Sequence, residues 1–256
     1  MHVTVIGMLA NLLRISSQQD SHFQDLLRLR IAIAGTFESR VTEYIWFRNL
    51  AVSAHVGRFG NPSRREMEGR PEHPGGQSPV RVDVLENATF WMVFAHENLP
   101  FLEKLHRTFT HPHPQDVLHL GRAEDWVIIE LVGDMRPVRD LVAVDRYGGA
   151  TPCFHWIPRE DALWIPEVEG ITIPPWGDLG GLLYRLGTYY RIIDGRRVFY
   201  TTEVKLVEGN WPPGTPRLVL TSPETAIRGD AAPRIPVWFW QAPEEVVQAF
   251  QPGESE

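Results

Sequence analysis

The chain has 256 residues, of which 43% are hydrophobic, so it is long and apolar enough for one large domain or two small ones. It contains no run of about eighteen apolar residues, and the apolar residues 1–17 lack the basic start of a signal peptide, so we predict neither a membrane span nor export. The single cysteine, Cys153, excludes an intrachain disulfide and is interpreted as a buried small residue of a protein in the reducing cytoplasm.

The formal net charge is −7, but the basic residues are unevenly distributed. Residues 58–70 carry four arginines against two glutamates, whereas residues 241–256 carry four acids and no base. Only two lysines are present, Lys104 and Lys205, so nearly all positive charge comes from arginine. The whole-chain charge therefore hides a local basic patch of the residue type that suits phosphate recognition.

The first predicted elements are two helices and two strands. Residues 3–15 place apolar side chains every three or four positions and predict a buried helix, although Gly7 disfavours a helix by about 1 kcal/mol unless another backbone must approach it. Residues 21–28 predict a short helix. Residues 28–35 and 42–50 predict strands.

Residues 57–79 differ in composition, being rich in glycine, proline and charge, and predict a long exposed excursion that covers about residues 57–80. Residues 80–95 first alternate and then become apolar throughout. This pattern predicts one strand that starts exposed and ends in a sheet core. The long strands and the excursion between them would project from the body like a thumb.

The rest of the chain contains one predicted helix, one short strand and one hairpin. Residues 99–109 predict the helix, 127–132 the strand, and 186–209 a hairpin with Asp194 and Gly195 as its turn. The inward face of the helix is predicted to carry Leu99, Leu102, Leu105 and Phe109.

The order helix, strand, long hairpin, strand, helix, strand is that of a ferredoxin-like α+β unit whose first strand is missing. We therefore predict a ferredoxin-like domain over residues 1–135, with residues 136–256 forming a β-rich carboxy-terminal part of the same unit.

Two motifs resemble a known family. VTVIGMLANLL, from residue 3, and HLGRAEDW, from residue 119, resemble the first helix and the glycine-rich loop of the fifth Cas group of CRISPR-associated RAMP proteins, most like type I-B or I-A. The resemblance implies a RAMP (RRM-like) fold with a β-hairpin thumb. The chain departs from the family pattern by having His2-Val3-Thr4 where the family has Pro-Ser-Thr, and by lacking the first strand.

The resemblance also implies a function. Such proteins are non-catalytic subunits of the Cascade surveillance complex, where they cap the 5′ handle of the CRISPR RNA (crRNA). The implied partners are the crRNA, the backbone RAMP subunit and the large subunit, with target DNA met indirectly. Neither a cofactor nor a membrane is implied.

The candidate RNA-binding residues follow from this resemblance. Gly121 would let the main chain approach RNA and Arg122 would bind a phosphate; otherwise Arg122 pairs with Glu124 or Asp125 in a tight turn. Thumb arginines would contact the RNA backbone or a neighbouring subunit, and otherwise form a solvated loop. The full set is Gly7, Arg48, His55, Arg58, Arg64, Arg65, Gly121 and Arg122.

The sequence leaves three alternatives to RNA capping. His111, His113 and His119 fit no standard zinc spacing, and no metal is predicted. A metal-independent endoribonuclease that processes precursor crRNA would need a base and a cation, for which Tyr44, His55 and Lys104 are the candidates. A scaffold that binds only protein is the remaining possibility.

Overall fold

A computed structural model describes twelve segments of the chain, namely residues 2–17, 20–48, 66–67, 70–71, 77–121, 124–138, 141–144, 153–167, 175–193, 196–207, 217–220 and 235–250. The chain divides into two compact units. The first comprises Met1–Thr36 and Phe90–Glu256, and the second comprises Phe37–Thr89.

The described residues contain four α-helices, α1 His2–Leu13, α2 Ser21–Leu27, α3 Leu99–Thr110 and α4 Glu244–Ala249. Within these segments no helix is long and apolar enough to cross a membrane.

Helix α1 confirms its predicted apolar face, because Ile6, Leu9, Leu12 and Leu13 are all buried. For α3 the predicted face is partly wrong. Leu99 is 55% exposed, whereas Phe101, which was not predicted to point inward, is 2% exposed. Successive residues turn by about 100° around a helix. Leu99 therefore falls outside the face that Phe101, Leu105 and Phe109 define.

Fourteen strands lie in the described residues. They are β1 Arg30–Thr36, β2 Ser39–Arg48, β3 Glu66–Met67, β4 Arg70–Pro71, β5 Gln77–Glu86, β6 Thr89–Ala95, β7 Leu141–Val144, β8 Phe154–Pro158, β9 Leu163–Trp164, β10 Leu182–Ile193, β11 Arg196–Val207, β12 Arg217–Leu220, β13 Ile235–Pro236 and β14 Phe239–Trp240.

The first unit is built on a seven-stranded sheet in the order β10-β11-β8-β1-β14-β9, with β6 also paired to β1. The pairings of β1 with β8 and β14 are antiparallel, as is β8 with β11. The predicted strand at 28–35 corresponds to β1, whose central residues are buried. Helices α1, α2 and α3 pack against this sheet in one core, which includes Leu9, Leu27, Ile31 and Phe101.

Strands from the second half of the chain complete this sheet and add a small one. The predicted hairpin is confirmed as β10 and β11, with Ile193 opposite Arg196; its predicted turn, Asp194-Gly195, lies outside the described residues. Strands β13, β12 and β7 form a separate antiparallel sheet. Cys153 is buried beside Ala34 and Ile235, as expected for a small core residue.

The second unit consists mainly of β2 and β5. They pair antiparallel from Ser39 opposite Glu86 to Arg48 opposite Gln77. The strand predicted at 42–50 is thus β2, shifted by a few residues. Most of the predicted excursion at 57–80 lies outside the described residues.

The prediction of one strand over residues 80–95 is wrong. The chain forms two strands, β5 and β6, which are separated at Asn87, where φ is +49°. Asparagine tolerates this left-handed conformation better than most residues do. The Asn87 side chain also donates a hydrogen bond to the Glu38 carboxylate at 2.7 Å.

The predicted strand at 127–132 is also wrong. Among the described residues this segment has no partner strand, and the only pairing near it is a single antiparallel bridge between His119 and Trp126. An apolar sequence without a neighbouring strand does not form a β-ladder.

Candidate functional site

The segment that precedes the glycine turn is attached to helix α1 by Asn11. The Asn11 side chain donates to the carbonyls of Asp116 and Val117 at 3.1 and 3.2 Å and accepts from the Asp116 N–H at 2.8 Å. The Arg14 Nε donates to the His113 carbonyl at 3.0 Å. Residues 113–117 therefore run antiparallel to α1, from its carboxy-terminal end towards its middle.

The glycine turn lies just beyond this attachment. The Leu120 N–H donates to the Asp125 carbonyl and the Val127 N–H donates to the Leu118 carbonyl, each at 3.0 Å. Leu118, Leu120 and Val127 pack partly buried against the main core. The turn is thus held by backbone hydrogen bonds on one side and by apolar packing on the other.

Gly121 has a conformation that other residues rarely adopt. Its φ is +116°, and a Cβ added there would lie 3.2 Å from the Asp125 Oδ2. Backbone strain and a close contact therefore both select glycine at this position. The predicted special role of Gly121 in a turn has a clear local cause, whether or not a ligand binds there.

Gly7 presents the opposite situation. It is an exposed residue inside α1, and a Cβ added there would meet nothing within 4 Å. It precedes Asn11 by four residues, so both lie on the same face of the helix. Nothing in the described part of the chain requires a glycine at this position, although glycine costs a helix up to about 1 kcal/mol.

The structure does not describe the side chains of the remaining predicted site residues. The backbone of Arg48 ends β2 opposite Gln77, but its side chain is outside what the structure describes. The other five lie outside the described residues altogether; these are His55, Arg58, Arg64, Arg65 and Arg122. The predicted pairing of Arg122, with a phosphate or with its acidic neighbours, therefore stays a prediction.

Of the candidate catalytic residues, the two that the structure describes, Tyr44 and Lys104, belong to different units. Tyr44 is 71% exposed on β2 in the second unit, with the Arg81 guanidinium 5.6 Å from its ring centroid. Lys104 lies on α3 in the first unit. His55 is outside the described residues.

The three candidate histidines of the metal alternative, His111, His113 and His119, are exposed. Across the twelve described segments, no group of three or more His, Cys, Asp or Glu side chains is arranged to hold a metal ion.

A partly exposed polar cluster joins α2 to the start of α3, and it was not predicted from the sequence. Asp25 accepts a hydrogen bond from the Asn98 Nδ2 at 3.1 Å. The His22 Nδ1 and His96 Nε2 lie 3.7 and 3.9 Å from its carboxylate, which is too far for hydrogen bonds. The Asn98 side chain also caps α3 by accepting from the Phe101 N–H at 3.3 Å. Only the His96 side chain is almost fully buried, at 5% exposure, whereas His22 and Asp25 are partly exposed. Because Asn98 both bonds Asp25 and caps α3, the cluster links the two helices.

The stability of the chain is expected to fall in acid partly because of His96. Burial, which removes water from the imidazole, lowers the pKa of His96 below 6.5, and nearby Arg30 lowers it further; Asp25 and Glu97 oppose this effect. Below about pH 6.5 the unfolded chain therefore binds a proton that the folded chain does not, so acid favours unfolding. Urea unfolding at pH 7.5 and pH 5.5 should show a smaller pH dependence for His96→Gln than for the wild type. Equal pH dependence would contradict this role.

The chain is an α+β protein, in which helices pack against an antiparallel sheet and the glycine turn follows a segment attached to α1. Residues 3–170 match the family described as CRISPR-associated protein (Cas_Cas5), and the chain belongs to that family. No curated protein matches it. A solved chain described as "CRISPR RNA-guided surveillance complex" is similar at 13% identity and a TM-score of 0.44, over 82% of this chain and 78% of that one.

Proposed function

We propose that the chain is a non-catalytic subunit of a type I CRISPR Cascade complex, in which it binds and caps the 5′ handle of the crRNA. Its partners would be the crRNA, the backbone RAMP subunit and the large subunit, in the cytoplasm. Membership of the Cas_Cas5 family supports this proposal. The glycine-rich motif also lies in that matched region, over residues 119–126.

We further propose a ferredoxin-like RAMP fold for the first unit. The order α1, β1, β6, α3 and the pairing of β1 with β6 support it. The second unit interrupts the chain between β1 and β6, where the family pattern has its thumb hairpin. The predicted thumb arginines belong to this second unit and would contact the RNA backbone or a neighbouring subunit.

The observation that carries the proposal is the conformation of Gly121. A glycine with positive φ leaves its main chain uncovered by a side chain, so an RNA backbone can approach the peptide groups directly. The next residue, Arg122, is of the type that grips phosphate with two donors. A turn held by core packing would present the Gly121 main chain with a smaller ordering cost on binding.

Gly7 is proposed as a further RNA contact on α1. Residues 113–117 run along the helix towards its middle, and Gly7 lies one turn further in that direction. Its open surface would allow an RNA backbone to lie close to the helix. A Cβ at Gly7 would meet nothing within 4 Å, so the surface there is open to a ligand.

The assay for this function is binding of a short RNA that ends in the repeat-derived handle, measured by fluorescence anisotropy at several salt concentrations. Affinity should fall linearly on a log–log plot, with a slope of about −0.7 per phosphate contacted. The control is an RNA of the same length in which the handle sequence is scrambled. Binding that is absent at low salt would contradict the proposal, and cleavage of the RNA without metal would favour the endoribonuclease.

Substitutions of Gly7 should affect stability and RNA binding in opposite directions. Gly7→Ala and Gly7→Leu should each raise the free energy of unfolding by about 0.5–1 kcal/mol, because both residues favour a helix over glycine. Gly7→Leu should weaken handle binding at least tenfold, since its side chain would occupy the open surface, while Gly7→Ala should weaken it less. A Gly7→Leu protein with unchanged RNA affinity would remove Gly7 from the site.

A further inference from the structure

Residues 112–117 lead into the glycine turn and belong to no helix or strand. Pro112 and Pro114 lack an N–H, which removes two donors that regular backbone pairing would need. Among the described residues, every hydrogen bond that joins this stretch to another part of the chain goes to Asn11 or Arg14. We call these two residues, which lie at the carboxy-terminal end of α1, the α1 clamp.

Asn11 bonds to two successive peptide groups of this stretch. Its side-chain amide donates to the carbonyls of Asp116 and Val117 and accepts from the Asp116 N–H. Its main-chain carbonyl also accepts the Gln115 N–H at 3.2 Å. The next residue along the chain, Leu118, already forms a backbone hydrogen bond of the glycine turn. Asn11 therefore fixes the position of the main chain directly before the turn begins.

Arg14 combines a strained backbone with a second contact to the same stretch. It directly follows the last residue of α1, and its φ is +60°. Glycine is the usual residue in this left-handed conformation after a helix, because a side chain is strained there. The Arg14 Nε donates to the His113 carbonyl at 3.0 Å, a contact that glycine does not make. Arginine at this position thus favours the attachment of residue 113 over backbone comfort.

We propose that the α1 clamp positions the glycine turn for RNA, so that Asn11 and Arg14 are positioning residues of the RNA site. This inference rests on the proposed function, but neither residue needs to touch the RNA. Leu118 and Leu120 hold the turn by apolar packing, which has no directional preference. The hydrogen bonds of the clamp are directional, so they align the main chain that leads to Gly121 before the RNA arrives.

Asn11→Ala should weaken binding of the handle RNA by about three- to tenfold in the anisotropy assay. Alanine favours a helix more than asparagine does, so the substitution does not weaken α1 itself. Hydrogen–deuterium exchange in the absence of RNA should become faster at the Leu120 and Val127 amides, whose hydrogen bonds close the turn. The exchange measurement therefore detects a loss of order in the turn without relying on RNA.

The matched control is Asn98→Ala, which removes another asparagine whose side chain links two elements. Asn98 bonds Asp25 of α2 and caps α3, and neither contact involves the glycine turn. This variant should be less stable than the wild type, because a helix cap is lost. Its RNA affinity and the exchange of the turn amides should nevertheless match those of the wild type.

Arg14→Gly should change stability and RNA affinity in opposite directions. Glycine relieves the left-handed strain, so the thermal midpoint should be unchanged or higher. Loss of the bond to His113 should weaken RNA binding by about three- to tenfold, with the salt dependence of binding unchanged. A salt slope smaller by about 0.7 would instead mean that Arg14 itself contacts a phosphate, and it would overturn the positioning role of Arg14.

A double-mutant cycle shows whether the clamp acts through the turn. Gly121→Ala is expected to displace the turn already, so adding Asn11→Ala to it should weaken RNA binding less than Asn11→Ala does alone. Full additivity would mean that Asn11 acts on RNA binding independently of the turn, which contradicts the proposal.

The remaining outcomes separate the clamp from the proposed function. If Gly121→Ala weakens RNA binding but Asn11→Ala binds RNA as the wild type does, the clamp inference alone is wrong. Equal losses of affinity in Asn11→Ala and Asn98→Ala would reduce the clamp to general stability and would also overturn it. If the wild type does not bind the handle RNA at low salt, the proposed function fails, and the clamp inference fails with it.

Discussion

Replacing Gly121 with alanine is expected to weaken binding of the handle RNA by about five- to one-hundredfold. Alanine at φ +116° is strained, and its Cβ would lie 3.2 Å from the Asp125 Oδ2. Strain of this kind costs about 1–3 kcal/mol, and each 1.4 kcal/mol is a factor of ten in an equilibrium constant. The turn should relieve the strain by moving, which would displace its peptide groups from the proposed RNA contact. Anisotropy with the handle RNA measures the loss.

The matched control for this experiment is Gly177→Ala. A Cβ at Gly177 meets nothing within 4 Å, so alanine there should leave RNA affinity unchanged. A double variant, Gly121→Ala with Asp125→Ala, removes the side-chain contact but keeps the positive φ, and it should remain weak. Wild-type affinity in Gly121→Ala would show that the turn does not touch RNA, and the proposed function would lose its main support.

Elements whose pattern is local were predictable from the sequence. The apolar spacing in residues 3–15 is sufficient to place α1 and its buried face, because helix periodicity depends only on near neighbours. The hairpin of β10 and β11 was predictable for the same reason, since two alternating runs flank a two-residue turn signal.

Elements that depend on distant partners were not predictable. The VIIELV sequence has the composition of a strand, but a strand exists only beside another strand, and composition does not reveal whether one is present. The division of residues 80–95 depends on Asn87, whose left-handed φ is one of several conformations open to asparagine. The sequence therefore suggested extended chain in both places without determining the pairing.

In the candidate site, too, local features were predictable from the sequence and long-range contacts were not. Gly121 was singled out because a glycine beside an arginine interrupts an apolar run, and its positive φ is consistent with that interpretation. The Asn11 attachment was not predicted, since it joins residues about one hundred positions apart. The cluster around Asp25 brings together α2 and the residues before α3, and no local pattern in either segment indicates it.

The structure also shows the surroundings of Lys205, one of the two lysines of the chain. Its ammonium donates to the carbonyls of Trp176 at 2.8 Å and of Leu179, and it lies 4.5 Å from the Trp176 ring centroid. These contacts hold residues 176–181 against β11, so the charge of Lys205 has a structural role.

The largest effect on stability is expected from Gly181→Ala. Gly181 precedes β10 with φ +125°, and a Cβ there would lie 2.8 Å from the Leu206 carbonyl oxygen and 3.0 Å from the Val207 Cγ2. The carbonyl belongs to the main chain of β11, which pairs with both β10 and β8 and so cannot move aside without breaking a ladder. Strain and overlap together should lower the free energy of unfolding by about 2–4 kcal/mol. For a chain of this size the thermal midpoint should fall by about 5–15 °C.

Gly177→Ala again serves as the control, because Gly177 lies only four residues earlier, in the 3₁₀ helix Trp176–Asp178, and has open space for a Cβ. Both variants should be compared by thermal and denaturant unfolding, with handle-RNA affinity measured at a temperature where each is folded. Since Gly181 is not among the proposed RNA contacts, Gly181→Ala should lower the free energy of unfolding and keep RNA affinity. In Gly121→Ala, by contrast, the main expected change is the loss of RNA affinity. A thermal midpoint that matches Gly177→Ala would mean that the turn relaxes freely despite the Lys205 contacts, and that the close approach to β11 does not constrain residue 181.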